Sequence, residues 1–294
     1  MTMMDADGIR VVVVSHGSAT TIQGCLRRLL AARAVAEVVV VDNASDDDTV
    51  AKALALAEFE PRLRVQAHPD NPGFAAGCNA GALGCTLPWL AFVNPDCLIE
   101  ADTFARLLAH ARSAPDVGVL GCVQVDAAGI EDAAVRRRDP SLRALLRAGG
   151  ARNAVYLPAD GNALQRVDAI SGALMLLPNA VFARVGGFDA GYRLHAEDLD
   201  LCRRVRAAGC VVAVANDASI VHLRGVSSRR RPLWVEWQKH RGMWRYFAKF
   251  EAQHTSLPLR ALLWCALWVH CAIAAPRAWR RARLGALRDR SARA

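Results

Sequence analysis

Val38-Val39-Val40-Val41-Asp42-Asn43-Ala44-Ser45 is the stretch on which the fold turns. Four β-branched residues in a row read as a strand buried on both faces, the kind found in parallel sheets. The run stops at a carboxylate and a turn-forming Asn. Two other apolar runs stop in the same manner. Ile9 to Ser15 breaks into Ser15-His16-Gly17-Ser18, and Trp89 to Val93 ends in Asn94-Pro95-Asp96. An open α/β sheet places its ligand site at the carboxyl ends of its strands. Acidic residues at two such ends, Asp42 and Asp96, with the carboxylate-rich stretch Leu194 to Arg204 as a third site, suggest an enzyme that handles a charged, metal-bound substrate.

Helical patterns separate these runs. Ile22, Cys25, Leu26, Leu29 and Leu30 share one helical face, with Thr20 or Thr21 placed to cap it. Glu37 to Val41 reads as the second strand, Asp47 to Glu58 as a helix, and Leu63 to Gln66 as a third strand. Asn71 to Asn79 is a loop entering a helix of small residues. Strands alternating with helices predict βαβ units, an α/β class and a mostly parallel sheet flanked by helices. Residues 1–100 form a nucleotide-binding-type half on this reading.

The second half, 101–228, reads as helix Thr103 to Arg112, strand Val117 to Val125, strand character over Val167 to Leu177, and a short helix Val181 to Val185. A helix Glu197 to Ala208 and a strand Cys210 to Ala215 follow, leading to Ile220-Val221-His222. Residues 126–165, with Arg136-Arg137-Arg138, exceed an ordinary connection and read as a variable excursion, a candidate lid.

Composition narrows the class. With 294 residues, 53% of them hydrophobic, the chain can bury a large core and is not a disordered polymer. Its formal charge of +9 is uneven: 22 Lys and Arg stand against 25 Asp and Glu up to Ser228, and 15 against 3 from Arg229 onward. That split disfavours a nucleic-acid binder, whose basic residues mark its binding face. A basic, Trp-bearing tail over 229–294 fits a membrane-surface anchor. Ala261 to Ala275 carries no charge but is shorter than the ~20 residues that span a bilayer, and Pro276 is expected to end it. Peripheral contact or docking on the core are the two readings of that segment. Nine cysteines, none in a C-x-x-C pair, give neither a disulfide framework nor zinc spacing; most are expected to be buried and reduced, in the cytoplasm. Met1 to Gly8 is short and acidic, and no signal peptide is expected.

The candidate chemistry gathers in a few places. Leu194-His195-Ala196-Glu197-Asp198-Leu199-Asp200 puts three carboxylates at a helix start. The helix dipole explains one; three exceed capping, so one is a candidate general base. Asp42 is placed to accept hydrogen bonds from a base or ribose, or else to make a turn. Asp96 is placed to hold Mg2+ or Mn2+ against a diphosphate, or else belongs to an Asn-Pro-Asp turn. Gly73 and Gly77 let backbone approach a ligand, or let a helix pack closely. The segment lacks G-x-G-x-x-G, which disfavours a nicotinamide-dependent dehydrogenase. His222 meets a metal or phosphate, or is structural.

Taken in order, these motifs resemble the family 2 glycosyltransferases, nucleotide-sugar-dependent inverting enzymes of GT-A fold, and most closely their rhamnosyltransferase-like branch. The resemblance is carried from about Val11 to Ser228 by Val12-Val13-Val14-Ser15-His16, Val41-Asp42-Asn43-Ala44-Ser45 and Asn71-Pro72-Gly73-Phe74-Ala75-Ala76-Gly77-Cys78-Asn79. Asn94-Pro95-Asp96, Ser171-Gly172-Ala173, Gly186-Gly187-Phe188-Asp189, Glu197-Asp198-Leu199-Asp200-Leu201-Cys202-Arg203 and His222-Leu223-Arg224-Gly225 complete it. It implies that Ser15, Asp42, Asn71, Gly73, Asn79 and Asn94 bind the nucleotide, Asp42 at the base or ribose. Asp96 matches the last carboxylate of the D-x-D metal motif, and His222 a histidine at the metal or diphosphate. Asp198 matches the catalytic base, with Glu197 next to the acceptor. Asn94 stands where the first Asp of D-x-D is usual, so metal ligation rests mainly on Asp96. Leu223-Arg224-Gly225 replaces a small residue and Gly-Gly. The implied reaction moves rhamnose from dTDP-rhamnose, or another sugar from a UDP donor, to a glycan or polyprenyl-linked acceptor at the inner face of the membrane. The rival from another class is a non-catalytic membrane-surface binding module. All four acidic side chains are expected to converge on one cavity with His222.

Overall fold

The computed structural model describes residues 8–140, 155–223 and 231–291, and over 281–282 and 284–291 the backbone alone. Strands β1 (Ile9–Ser15), β2 (Val35–Asn43), β3 (Leu63–His68) and β4 (Trp89–Val93) alternate with helices α1 (Ile22–Ala31), α2 (Thr49–Ala57) and α3 (Phe74–Ala82). The strands lie parallel in the order β3-β2-β1-β4. Every residue of β1 is buried, as a Val-rich central strand covered on both faces requires. Its one charged residue, Arg10, is reconciled to burial by donating to Glu37 at 2.6 Å and to the Leu83 carbonyl.

The sheet then becomes mixed. After β5 (Cys97–Ile99) and α4 (Thr103–Ser113) come β6 (Val117–Val125), β7 (Leu164–Val167) and β8 (Leu174–Pro178). Helices α5 (Asn179–Arg184) and α6 (Glu197–Ala207) precede β9 (Val211–His222). β8, β6, β9 and β5 continue the sheet beyond β4, with β7 also on β9. β6 and β9 are parallel; the other pairs of this half are antiparallel. One core lies on each face. Ile22, Leu26, Phe104 and Leu107 of α1 and α4 build the first. Cys78, Phe182, Phe188, Leu201 and Val205, from α3 through α6, build the second.

Several local expectations change. The α1 N-terminus has no side-chain cap: Thr21 Oγ1 donates to the Ser18 carbonyl instead. Val167 to Leu177 is two strands, because Ser171 and Gly172 turn the chain between β7 and β8. β9 continues to His222, and β5, too short to show periodicity, pairs with its end. The 126–165 excursion is tied down over its first part. Arg136 is buried, bonding Asn216 and Glu131, and Arg137 bridges to Tyr156 and Ala169. The remainder of that excursion, 141–154, lies outside the described residues, as do Arg224 and Gly225 of the motif after His222.

The 229–294 tail divides in two. α7 (Pro232–Phe250) opens with Pro at its first turn, where a missing N–H costs nothing. It is part of the globular body: Tyr246 belongs to the second core and its hydroxyl donates to Asp139 at 2.7 Å. Arg245 and Lys249 bind Asp189, each at 2.8 Å, and Lys249 also binds Asp200 at 2.6 Å. Then α8 (Leu257–Ser291) runs through Pro276 without ending there. The proline removes one backbone donor and leaves the helix continuous. The expected 15-residue limit therefore does not hold. By length and composition Leu257–Arg280 could cross a membrane, and almost none of it is buried. Its first part lies along α7, where His240 Nε2 and His270 Nδ1 are 2.9 Å apart.

Candidate active site

Two strand registers build the site. Ser15 stands opposite Asp42 where β1 and β2 end together, and Cys97 stands opposite His222 where β5 meets β9. The first puts Ser15, His16 and Asn43 at one rim; the second puts Asp96 beside His222. Between them lies a cavity of about 560 Å³, lined also by Asp46, Asn71, Phe74, Asn94, Arg193, His195, Arg231 and Trp234. It sits at the carboxyl ends of β1, β2 and β4, as the strand-end motifs predict.

Asp96 Oδ1 and His222 Nε2 are 3.2 Å apart, with side chains 13% and 14% exposed. The Asp96 carbonyl accepts from the Leu223 N–H at 3.0 Å, which locks the two chains together. His222 Nδ1 is buried without a partner among the described residues. Cys97 is close enough to complete a three-residue group. Its thiol donates to the Ala173 carbonyl, and burial, with the Asp96 charge next, pushes it well above the usual thiol range. That thiol is engaged with the backbone, and it is a soft donor that hard Mg2+ disfavours. A carboxylate oxygen and an imidazole nitrogen remain, a donor pair that suits a divalent cation completed by phosphate oxygens.

Asp42 is 1% exposed and does not reach the cavity lining. Its carboxylate accepts from Ser15 Oγ at 2.7 Å, Ser45 Oγ at 2.6 Å and Ser45 N at 2.8 Å. In this arrangement it orients Ser15, which is on the lining. Asn71 and Asn94 are on the lining as well. Asn79 is not: its amide is spent on the backbone N–H and carbonyl of Phe188, each at 2.8 Å. Gly73 has φ +105°, and a Cβ there would lie 2.6 Å from the Arg193 carbonyl. A Cβ on Gly77 would lie 2.8 Å from Val14. Both glycines serve close approach within the fold itself.

Glu197 and Asp198 open α6, off the cavity lining. The expected convergence of four acidic side chains on one surface is thus replaced by Asp96 alone on the lining. Asp42 lies one layer back and the Glu197–Asp198 pair stands at the adjoining helix start. Asp198 Oδ2 accepts from Arg137 Nη2 at 2.5 Å and from Gly172 N at 3.1 Å. Glu197 is 7% exposed with Oε2 unpartnered among the described residues. Burial, reinforced by the Asp198 charge, pushes its carboxyl up to about 8. Asp200 is fully buried in its pairs with Arg204 and Lys249, so the third carboxylate of the cluster is structural.

His195 is the residue that sequence reasoning missed. It and Ala196 have φ of 67° and 70°, a left-handed pair that non-glycine residues adopt at a cost. His195 Nε2 is buried without a partner among the described residues. Burial, with Lys239 next, lowers the imidazole to about 4, so it is neutral near pH 7. The signal available was its place three residues before Asp198. His16, Asp46, Arg193, Arg231 and Trp234 were missed too; the last two lay inside the stretch read only as a membrane anchor. His16, on the lining, has Nδ1 2.8 Å from the Asn43 carbonyl, which only accepts, so Nδ1 carries a proton.

The sequence model of glycosyl transferase family 2 matches residues 10–171. The chain is 26% identical over 274 residues to the N-acetylglucosaminyl-diphospho-decaprenol L-rhamnosyltransferase of Mycobacterium tuberculosis, covering 86% of this chain and 88% of that protein. It is 28% identical over 123 residues to rhamnosyltransferase WbbL of Escherichia coli, covering 41% of this chain and 47% of that one. Among solved structures, mannosyltransferase PcManGT from Pyrobaculum calidifontis, in complex with GDP-Man and Mn2+, is similar with a TM-score of 0.60. That match is 20% identical and covers 94% of this chain and 73% of the other. At that identity the likeness is one of fold.

Proposed function

The chain belongs to glycosyl transferase family 2, with the GT-A fold, and on that premise we propose that it is an inverting enzyme moving rhamnose from dTDP-rhamnose to a hydroxyl of a lipid-linked or cell-surface glycan precursor. The observation that carries this reading is the Asp96–His222 pair at the floor of a cavity of about 560 Å³ at the strand ends. Rhamnosyltransferase relatives of two organisms support the sugar, and the decaprenol-linked acceptor in the name of one of them supports the lipid-linked hydroxyl.

Asp96 and His222 would hold Mg2+ or Mn2+. The bound cation would neutralise the charge that develops on the departing diphosphate. Arg193 and Arg231 line the same cavity and add positive charge beside it. Ser15, Asn71 and Asn94 are placed for the nucleoside, with Asp42 setting the Ser15 hydroxyl. Asp198 takes the proton of the acceptor hydroxyl as its oxygen attacks the anomeric carbon. The bond to the diphosphate breaks on the opposite face, through an oxocarbenium-like transition state related to that of glycoside hydrolysis. One displacement inverts the centre.

The tail fits a lipid-linked acceptor. Leu262, Trp264, Val269 and Ile273 of α8 are exposed. Arg277, Arg280, Arg281 and Arg283 follow them. Because the first part of α8 lies along α7, which is fixed to the body by Asp189 and Asp139, this geometry favours peripheral contact over crossing the bilayer. All nine cysteines are free, which fits a cytoplasmic enzyme at the inner leaflet.

Calorimetry of dTDP, UDP and GDP, each with and without Mn2+, tests the reading. Metal-dependent binding of dTDP supports it. Preference for UDP moves the donor to a UDP-sugar. Absence of metal-dependent binding to any of the three favours a non-catalytic module.

A further inference from the structure

Two carboxyl groups stand side by side at the start of α6, and among the described residues only Asp198 is ion-paired. Arg137 Nη2 donates to Asp198 Oδ2 at 2.5 Å and also to the Ile170 carbonyl. Both partners of the ion pair are 13% exposed. The arginine backbone is pinned as well: Arg137 N donates to the Ala169 carbonyl at 2.9 Å, and Ala169 N donates back at 3.0 Å. Glu197, one residue before Asp198, has no such partner among the described residues and is buried at 7% exposure. The other titratable groups facing this pair include His195, neutral near pH 7, Cys202, whose thiol burial pushes up to about 12, and Cys78, whose thiol is raised well above its usual range by burial and next by the Glu197 charge. Tyr156 faces the guanidinium. Among the described residues, Arg137 is the cation in direct contact with this pair.

We propose that Arg137 is a positioning residue for sugar transfer: its guanidinium assigns the negative charge of the pair to Asp198 and fixes the direction of that carboxylate. This rests on the reading of Asp198 as the base. Neighbouring carboxyls in a low-dielectric site compete for a single charge, and their environments decide which one carries it. Without Arg137, Asp198 is a largely buried carboxylate beside another carboxyl, with no cation in contact among the described residues. With Arg137, Glu197 takes the neutral role and Asp198 keeps a lone pair for an incoming hydroxyl. The contact is monodentate from Nη2 to Oδ2, and the opposite oxygen, Oδ1, accepts from the Leu199 N–H at 2.8 Å, which leaves it one further lone pair.

The test is hydrolysis of dTDP-rhamnose with Mn2+ across pH 5 to 9, water serving as acceptor, in the full-length protein. Arg137→Gln is expected to move the acidic limb of the kcat profile up by about one pH unit or more and to lower kcat at pH 7 by about 10–100-fold, with KM for the donor unchanged. Arg137→Lys, which keeps the charge, is expected to return most of the limb. Adding Glu197→Gln to Arg137→Gln removes the competing carboxyl and is expected to bring the limb back toward the wild-type position. A limb that stays in place in Arg137→Gln overturns the proposal, as does a limb that moves in Arg137→Lys as far as in Arg137→Gln. If Arg137→Gln does not fold, Arg137→Lys decides alone: a wild-type limb supports the proposal, a limb displaced by a unit or more overturns it. Asp198→Asn separates the two layers. Full activity there removes the base reading itself, whereas an inactive Asp198→Asn beside an undisturbed Arg137→Gln profile removes only the role of Arg137.

Discussion

Asp96 Oδ1 lies 3.2 Å from His222 Nε2, and the three-residue strand β5 is the reason. Its antiparallel pairing sets Cys97 opposite His222, so the residue just before Cys97 meets the last residue of β9. Neither the loop after β4 nor the end of β9 makes a donor pair without that pairing.

Removing either donor should abolish the metal dependence of nucleotide binding. For Asp96→Ala and His222→Ala we expect dTDP affinity in Mn2+ to fall by at least ~10–100-fold, the range lost when even indirect support of a metal site is removed. Affinity without metal should be unchanged. Calorimetry with and without Mn2+ reads both. Equal loss in the two conditions would assign these side chains to the nucleotide or to folding instead.

Asp198→Asn should lose ~10²–10⁴-fold in kcat, the usual contribution of a general base. The donor affinity should remain, because Asp198 is not on the cavity lining. Transfer or donor hydrolysis at wild-type rate would move the base elsewhere, with His195, already on the lining, as the next residue to vary.

The first half of the fold was legible because β1 and β2 are Val-rich runs and β4 an apolar one, largely buried, and each ends in a polar turn. The ends of β1 and β4 place their residues in the cavity directly. Asp42 was misplaced by one layer. Sequence shows that a carboxylate ends the strand, but not that Ser15 and Ser45 take up its oxygens. Asn79 and Gly73 misled for a related reason: a loop rich in Asn and Gly looks the same whether it cradles a ligand or another loop. His195 and the cavity-lining start of α7 depend on long-range packing, for which local periodicity carries no signal. Pro276 showed the limit of a local rule, since a helix can lose one hydrogen bond and continue.

Glu197 makes a stability prediction with a defined sign. Its folded carboxyl is raised to about 8, chiefly by burial and next by Asp198, while the unfolded chain ionises near ~4.3. Between those values the unfolded state has released a proton that the folded state keeps. Stability therefore falls as pH rises through that window, by at most ~1.4 kcal/mol per pH unit from this group. Glu197→Gln should remove this decline. Urea unfolding at pH 5, 6, 7 and 8 should show the variant gaining on the wild type with pH; a constant difference would refute the assignment.

Asp189 gives the opposite sign. Burial alone would raise its carboxyl, but hydrogen bonds from Lys249 and Arg245 hold it at about 2. Its contribution to docking α7 is complete above the ordinary carboxylate range and is lost as pH falls through about 2. Asp189→Asn should loosen α7 already at neutral pH and flatten the change between pH 4 and 2. Fluorescence of Trp234, Trp237 and Trp244 on α7 reports it. Identical acid titrations in the two proteins would separate α7 docking from Asp189.

Truncation before Leu257 should release the protein from anionic vesicles while leaving nucleotide binding intact. The apolar face of α8 and the arginines after it are removed together, whereas α7 and the cavity residues Arg231 and Trp234 remain. Each arginine near an anionic surface contributes ~1 kcal/mol, screened by salt, so flotation of the full chain should weaken steeply from low salt to 0.5 M NaCl and be nearly absent with neutral vesicles. Peripheral contact further requires that alkaline carbonate strip the full-length protein from native membranes. Retention through carbonate would mean that α8 leaves α7 and crosses the bilayer. That would break the His240–His270 contact, so cross-linking of Cys pairs engineered at positions 240 and 270 would then fail in membranes and succeed in detergent-free solution. Equal flotation of the truncated and full-length proteins would take the membrane role away from α8 altogether.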